Sequence, residues 1–155
     1  MNTFSLRNAL ATVSVASALM LGAPVVMADS HGAAECGKTE LSSQMKEMKK
    51  HLKGYKQASK SDDWAVMSEH RAELQRLTIA GQSEVPYKAH DKSDAEKQAM
   101  TEKYKQGMEK LESLLNQLAE AEAAKDSDQV EQLMKQVGAQ SKKGHKAFKL
   151  KCDKD

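Results

Sequence analysis

The residues best suited to chemistry in this chain are a thioether and an imidazole, those of Met45 and His145. His145 shares a stripe of helical spacing with Val137, Ser141 and Phe148, which predicts that it faces the interior of a helix bundle. A methionine sulfur and a histidine nitrogen that face each other in an apolar interior can hold the two axial positions of a haem iron. Such an iron has no open site, so the expected activity is electron transfer and not oxygen binding or catalysis.

These two residues also have a plainer interpretation. A methionine on a helix seam is most often core packing, and an isolated seam histidine is most often a hydrogen-bonded core or rim residue. Met48, one turn after Met45, is a second thioether on the same seam, and periodicity does not choose between the two.

Other residues on the same stripes would line a flat macrocycle. Gly107 lies beside Tyr104 and Met108 on one helix face, where the missing side chain would let a porphyrin approach the backbone. The other predicted lining residues are Leu41, Met48 and Phe148. The pattern places the four remaining histidines on the surface, in loops or in the N-terminal tail, and none is predicted to bind a metal: His31, His51, His70 and His90.

Four amphipathic helices position these residues. Apolar residues recur every three or four positions in each helix, polar breaks lie at 59–63 and 125–128, and Gly81 closes the second helix. The segment 81–92 contains proline without periodicity and is predicted to be a loop, and SDAE at 93–96 is a capping box. The predicted helices start at Thr39, run from about Asp62 to Ala80, extend for roughly 30 residues after the capping box, and run from about Ser127 to Lys151.

Four such helices with mostly short connections predict an all-α fold, an antiparallel up-down-up-down four-helix bundle. The first and last helices of such a bundle run side by side in opposite directions. Met45 would therefore lie at about the height of His145.

The N-terminal part has the pattern of an export signal. Arg7 precedes an apolar run over residues 9–27, and small residues suit cleavage by a signal peptidase after Ala28. We therefore expect a removed signal peptide over 1–28, a flexible segment over 29–38 and a bundle domain over 39–155. The rest of the chain has no second apolar run, which predicts an exported protein without a membrane span.

Two cysteines, Cys36 and Cys152, lie near the two ends of the expected mature chain. Neither belongs to a CxxC or CxxCH sequence, which argues against thioredoxin-like redox chemistry and covalent haem attachment. Because export leads to an oxidising compartment, we predict a disulfide between them. Its register would bring Met45 opposite His145.

Charge and motif content exclude several function classes. The formal net charge is +2, and lysines alternate with glutamates, so the chain lacks the basic face that binds nucleic acid. A denser group of lysines after residue 141 would steer an acidic partner protein or complement the helix dipole. No nucleophile, base and orienting acid share a catalytic pattern, so we do not predict an enzyme.

The chain resembles the soluble periplasmic cytochrome b-562 family in three stretches, LSSQMKEMKKHLKGY at 41–55, YKQGMEKL at 104–111 and SKKGHKAF at 141–148. The similarity extends over about residues 39–151. The resemblance implies a non-covalently bound haem b. It also implies that the family's methionine ligand matches Met45 and its histidine ligand matches His145.

The sequence also departs from this family. Tyr104 and Met108 match its aromatic pocket positions, but Met108 is not aromatic. Ser141 stands where better-studied members carry an arginine near a haem propionate, so Lys142 or another lysine would take over that contact. The terminal cysteine pair is not typical of the best-known members.

Two hypotheses of different class follow. The first is a periplasmic haem electron carrier, a monomer that exchanges single electrons with redox partner proteins. The second is a haem-free bundle of the same fold that acts as a periplasmic binding or stress protein. In that protein Met45 and His145 would be core residues or a soft site for copper.

Overall fold

The computed structural model describes residues 38–149, which form four α-helices and no strand. Two short 3-10 turns, Ser59–Ser61 and Tyr87–Ala89, lie in the first and second connections. The helices are α1 (Glu40–Ala58), α2 (Trp64–Gly81), α3 (Asp94–Ala124) and α4 (Ser127–Phe148). The prediction of an all-α four-helix bundle is confirmed.

Short polar side chains start the helices. Thr39 accepts a hydrogen bond from the backbone N–H of Ser42 at 3.1 Å and begins α1. The capping box before α3 is confirmed: the Glu96 carboxylate accepts from the Ser93 backbone N–H at 3.3 Å. The Ser93 hydroxyl also donates to this carboxylate at 2.8 Å, and the two hydrogen bonds hold the pKa of Glu96 below its usual value. Asp63 and Asp126 accept from backbone N–H groups at the starts of α2 and α4. These local signals explain why the helix starts were predictable.

Two contacts between connections locate the ends of the helices. Ser127 Oγ donates to the Asp62 carboxylate at 2.8 Å, so the α1–α2 and α3–α4 connections lie side by side. Lys88 Nζ donates to the Ala147 carbonyl at 3.2 Å, which places the α2–α3 connection beside the end of α4. Both contacts agree with an up-down-up-down order, whose antiparallel arrangement stays a prediction.

One apolar core runs through the bundle, and its helices pair unequally. The close pairs are α1 with α2, α2 with α3 and α3 with α4, whereas α1 and α4 do not form a close pair. The most deeply buried side chains come from all four helices. They include Tyr55, Met67, Leu74, Leu115, Leu118, Val130, Leu133 and Val137.

A buried ion pair crosses the core between α2 and α3. Arg71 Nε donates to the Glu122 carboxylate at 2.8 Å, and the two side chains are 13% and 5% exposed. Arg71 also donates to Gln75 and Ser68 on its own helix. Burial and the neighbouring Glu122 carboxylate raise the pKa of the Tyr55 hydroxyl. Arg71 thus has three side-chain partners, whereas Glu122 Oε1 has no hydrogen-bond partner among the described residues.

Several predictions lie outside the described residues. They are the signal peptide over 1–28, nearly all of the segment over 29–38, and the disulfide between Cys36 and Cys152. Between residues 38 and 149, no helix combines the length and apolar character needed to cross a membrane.

Candidate functional site

The α1 side of the candidate site contains Met45 and Met48, the two thioethers between which sequence periodicity did not choose a ligand. Met45 is half-buried and packs against the core. Leu41, one turn before it, is also half-buried and packs against the core. Met48 is buried, with 9% of its surface exposed. Met45 is therefore the more accessible thioether of the two.

The α3 side is formed by Tyr104 and Met108, both buried as the sequence predicted for an interior face. The Tyr104 ring meets the Phe148 ring of α4 edge to face, with centroids 5.4 Å apart and planes at 87°. Gly81 at the end of α2 completes this wall, because a Cβ there would lie 2.9 Å from Met108 Cε. Sequence reasoning assigned Gly81 only to helix termination and missed this contact.

The prediction that His145 faces the bundle interior is wrong: the residue is exposed. The inward stripe of α4 runs through Val137, Gly144 and Phe148, which are buried or half-buried. At about 100° per residue, Gly144 lies within about 20° of the direction of Val137, whereas His145 lies about 80° away. His145 therefore stands at the rim of the stripe, and its imidazole has no hydrogen bond or ion pair with residues 38–149.

Open space borders the inner side of α4 beside this histidine. Gly144 is half-buried, yet a Cβ there would meet no atom within 4 Å. Ser141 is half-buried and Lys142 is exposed, so neither closes the space from one turn away. The inward stripe of α4 thus borders open space near His145, and α1 does not pack closely against α4.

Gly107 does not have the surroundings that the sequence suggested. A Cβ there would meet only the Gln140 amide, at an ordinary contact distance of 3.5 Å. Gln140 Nε2 donates to the Gly107 carbonyl at 2.8 Å and joins α3 to α4. Gly107 therefore belongs to a helix–helix contact in this structure, and Gln140 is a residue that sequence reasoning missed.

Two buried oxygens at the site have no hydrogen-bond partner within the described part of the chain. They are Gln44 Oε1 and the Tyr104 hydroxyl, two of four such atoms. Both lie beside Gly81, at 3.4 Å and 3.3 Å from where its Cβ would be. Burial, with the Glu84 carboxylate, raises the pKa of the Tyr104 hydroxyl, so this group stays protonated and can donate a hydrogen bond. Buried polar atoms normally have partners, and these two therefore mark a polar edge that a bound group would satisfy.

The residues present fit a haem. The donor set is a thioether and an imidazole on α1 and α4, the two helices that do not pack closely. The walls near them are apolar, and Tyr104 and Phe148 supply aromatic rings. Unfilled space lies beside Gly144, next to His145.

The structure corrects the prediction for two other histidines. His51 on α1 and His70 on α2 are half-buried and touch each other, with their Nδ1 atoms 3.1 Å apart. Sequence reasoning placed both on the surface or in loops. His90 is exposed, as predicted. Within residues 38–149, no three His, Cys, Asp or Glu side chains converge on a common metal position.

The fold and the site together define a class: a four-helix bundle whose first and last helices do not pack closely and carry a thioether and an imidazole donor. The family model for cytochrome b562 matches residues 40–149, so the chain belongs to the cytochrome b562 family. Membership supports a haem-binding electron carrier that uses haem b, in a family that is typically periplasmic and not typically enzymatic. No curated protein and no solved structure gave a significant match.

Proposed function

We propose that this protein carries single electrons on a haem b whose iron is ligated by Met45 and His145. The observation that carries the proposal is that the two donors lie on α1 and α4, which do not pack closely, with open space beside Gly144, in a chain of the cytochrome b562 family. When bound, the haem supplies an iron that cycles between ferrous and ferric states, and thioether ligation favours the ferrous state.

Burial supports Met45 over Met48 as the sulfur ligand. A methionine ligand must present a lone pair of its sulfur to the open space. Met45 can do this without leaving the core because it is half-buried. Met48 lies in the core with Tyr55 and Leu115, so its removal from there would expose apolar surface. We assign Met48 and Leu41 to the apolar wall.

The imidazole of His145 suits the second ligand position because no described residue competes for its nitrogens. In this proposal Tyr104, Met108 and Phe148 exclude water from one face of the site. Lys142 replaces the missing arginine as the cation for a haem propionate, and Ser141 adds a hydroxyl. Gly107 contributes through its contact with Gln140, which fixes α3 against α4.

Redox partners would dock where the site opens. The exposed lysines beside His145 give this edge a positive potential that favours an acidic partner protein: Lys142, Lys143 and Lys146. An electron-transfer rate that falls steeply with ionic strength would support such docking. We further propose export to the periplasm after cleavage behind Ala28, a bridge between Cys36 and Cys152, and a monomer.

The test is haem content and redox behaviour of the full chain, exported from cells supplied with haem. We expect one haem b for each chain and a reversible titration that follows a one-electron Nernst curve. A colourless protein that takes up no added haem would overturn the proposal and leave the haem-free binding or stress protein. Mass spectrometry of the same sample, alkylated with and without reductant, checks the cleavage site and the disulfide.

A further inference from the structure

His51 and His70 form a contact that the electron-carrier function does not use. One lies on α1 and the other on α2, and their ring planes meet at 66° with centroids 5.3 Å apart. The Nδ1 atoms, and not the ring faces, point at each other across 3.1 Å. Two helices thus bring two nitrogen donors to one point.

Gly54 fixes this arrangement. It lies on α1, and a Cβ at this position would overlap the His70 ring. A glycine inside a helix costs about 1 kcal/mol relative to alanine, so its presence needs a local reason. Here the absent side chain lets the imidazole of His70 lie against the α1 backbone, which directs its Nδ1 edge toward His51.

The spacing of the nitrogens is close to that of two ligands on one metal ion. Zinc holds imidazole nitrogens at about 2.0–2.1 Å in tetrahedral geometry, which places two of them roughly 3.3 Å apart. The observed 3.1 Å requires the nitrogens to separate slightly and the His51 ring to turn so that both lone pairs converge. Both residues are half-buried, so an ion would be reached from solvent and water would complete its coordination.

We propose that His51 and His70 form a binding site for a divalent transition-metal ion such as Zn²⁺, separate from the haem site. Imidazole suits Zn²⁺, Cu²⁺ and Ni²⁺, and two ligands from neighbouring helices chelate the ion and join α1 to α2. Neither ring has another hydrogen bond or ion pair among the residues of the described range, so metal binding displaces only their mutual contact. The proposal does not depend on haem binding.

The test is calorimetric titration of Zn²⁺ into the full chain and its variants. We expect one Zn²⁺ for each wild-type chain, and at least tenfold weaker binding in His51→Gln and in His70→Gln. Gly54→Ala keeps both histidines but pushes the His70 ring away, so it should weaken binding similarly. The matched controls substitute two histidines that belong to neither proposed site, one at a time, and should bind as the wild type does: His31→Gln and His90→Gln.

Side-chain NMR gives a second measurement that does not depend on stability. Addition of Zn²⁺ should shift the Nδ1 resonances of His51 and His70 and leave those of the control histidines in place. Zn²⁺ binding that survives His51→Gln and His70→Gln, or no binding by the wild type, would overturn the proposal. The pair would then be only a hydrogen bond between two imidazoles.

Discussion

Two parts of the same core differ in how completely the chain fills them. Around Tyr55 and Leu118 the side chains are fully buried, and the Arg71–Glu122 pair joins α2 to α3. The apolar side chains of Leu41, Met45 and Phe148 are only half-buried, and Gly144 borders open space. We call these the filled part and the open part. The difference teaches that apolar packing is complete in one part, whereas the other has the surroundings of a site for a bound group.

Among these variants, loss of the buried ion pair in the filled part should reduce the free energy of unfolding most. Arg71→Leu leaves the Glu122 carboxylate, 5% exposed, without its cation. Removal of one partner of a buried pair costs about 3–5 kcal/mol, so urea unfolding should show a loss of that size. The double variant Arg71→Leu with Glu122→Leu should recover most of it. A single variant within about 1 kcal/mol of wild type would contradict the importance of this pair.

Two leucine truncations compare the parts directly. Leu118→Ala removes a fully buried side chain and should reduce the free energy of unfolding by about 2–5 kcal/mol, with or without haem. Leu41→Ala removes a half-buried one and should cost less than about 1.5 kcal/mol in the haem-free protein. With haem bound, the Leu41→Ala loss should grow because the leucine then packs on the cofactor. Equal Leu41→Ala losses with and without haem would contradict the location of the site.

Alanine substitutions at two glycines of α4 should give the smallest effects, which are equal in stability but different in haem affinity. Gly138 and Gly144 are both half-buried helical glycines next to open space. Alanine at either should raise the stability of the haem-free protein by about 0.5–1 kcal/mol, since it reduces the entropy lost on folding. Only Gly144→Ala should weaken haem affinity, because its methyl group enters the proposed site. Chemical unfolding and haem titration measure the two effects, and equal haem affinities would contradict the assignment of that space.

The fold was predictable because its signals are local. The apolar spacing that begins at Thr39 predicted α1, and the capping box at Ser93 with the apolar spacing after it predicted α3. Helix four was predicted to reach Lys151, whereas α4 ends at Phe148. Lysines at the end of a helix carry no sharp stop signal, so this end was the least defined.

The site was less predictable because periodicity gives the direction of a side chain and not the distance to the next helix. His145 shares a stripe with Ser141 and Phe148, but a turn of about 60° from Phe148 is enough to expose it. The His51–His70 contact depends on how α1 lies against α2, which neither helix encodes alone. Gly54 was the one available signal, a glycine inside an amphipathic helix.

The most direct test of the central claim is the visible spectrum of the oxidised and reduced protein, for the wild type and three variants. We predict a low-spin, six-coordinate haem in the wild type and in Met48→Ala. Met45→Ala should give a high-spin or five-coordinate spectrum. His145→Ala should lose the low-spin spectrum of the wild type and bind haem more weakly by roughly tenfold or more. A low-spin spectrum that is unchanged in Met45→Ala and His145→Ala would contradict ligation by these two residues.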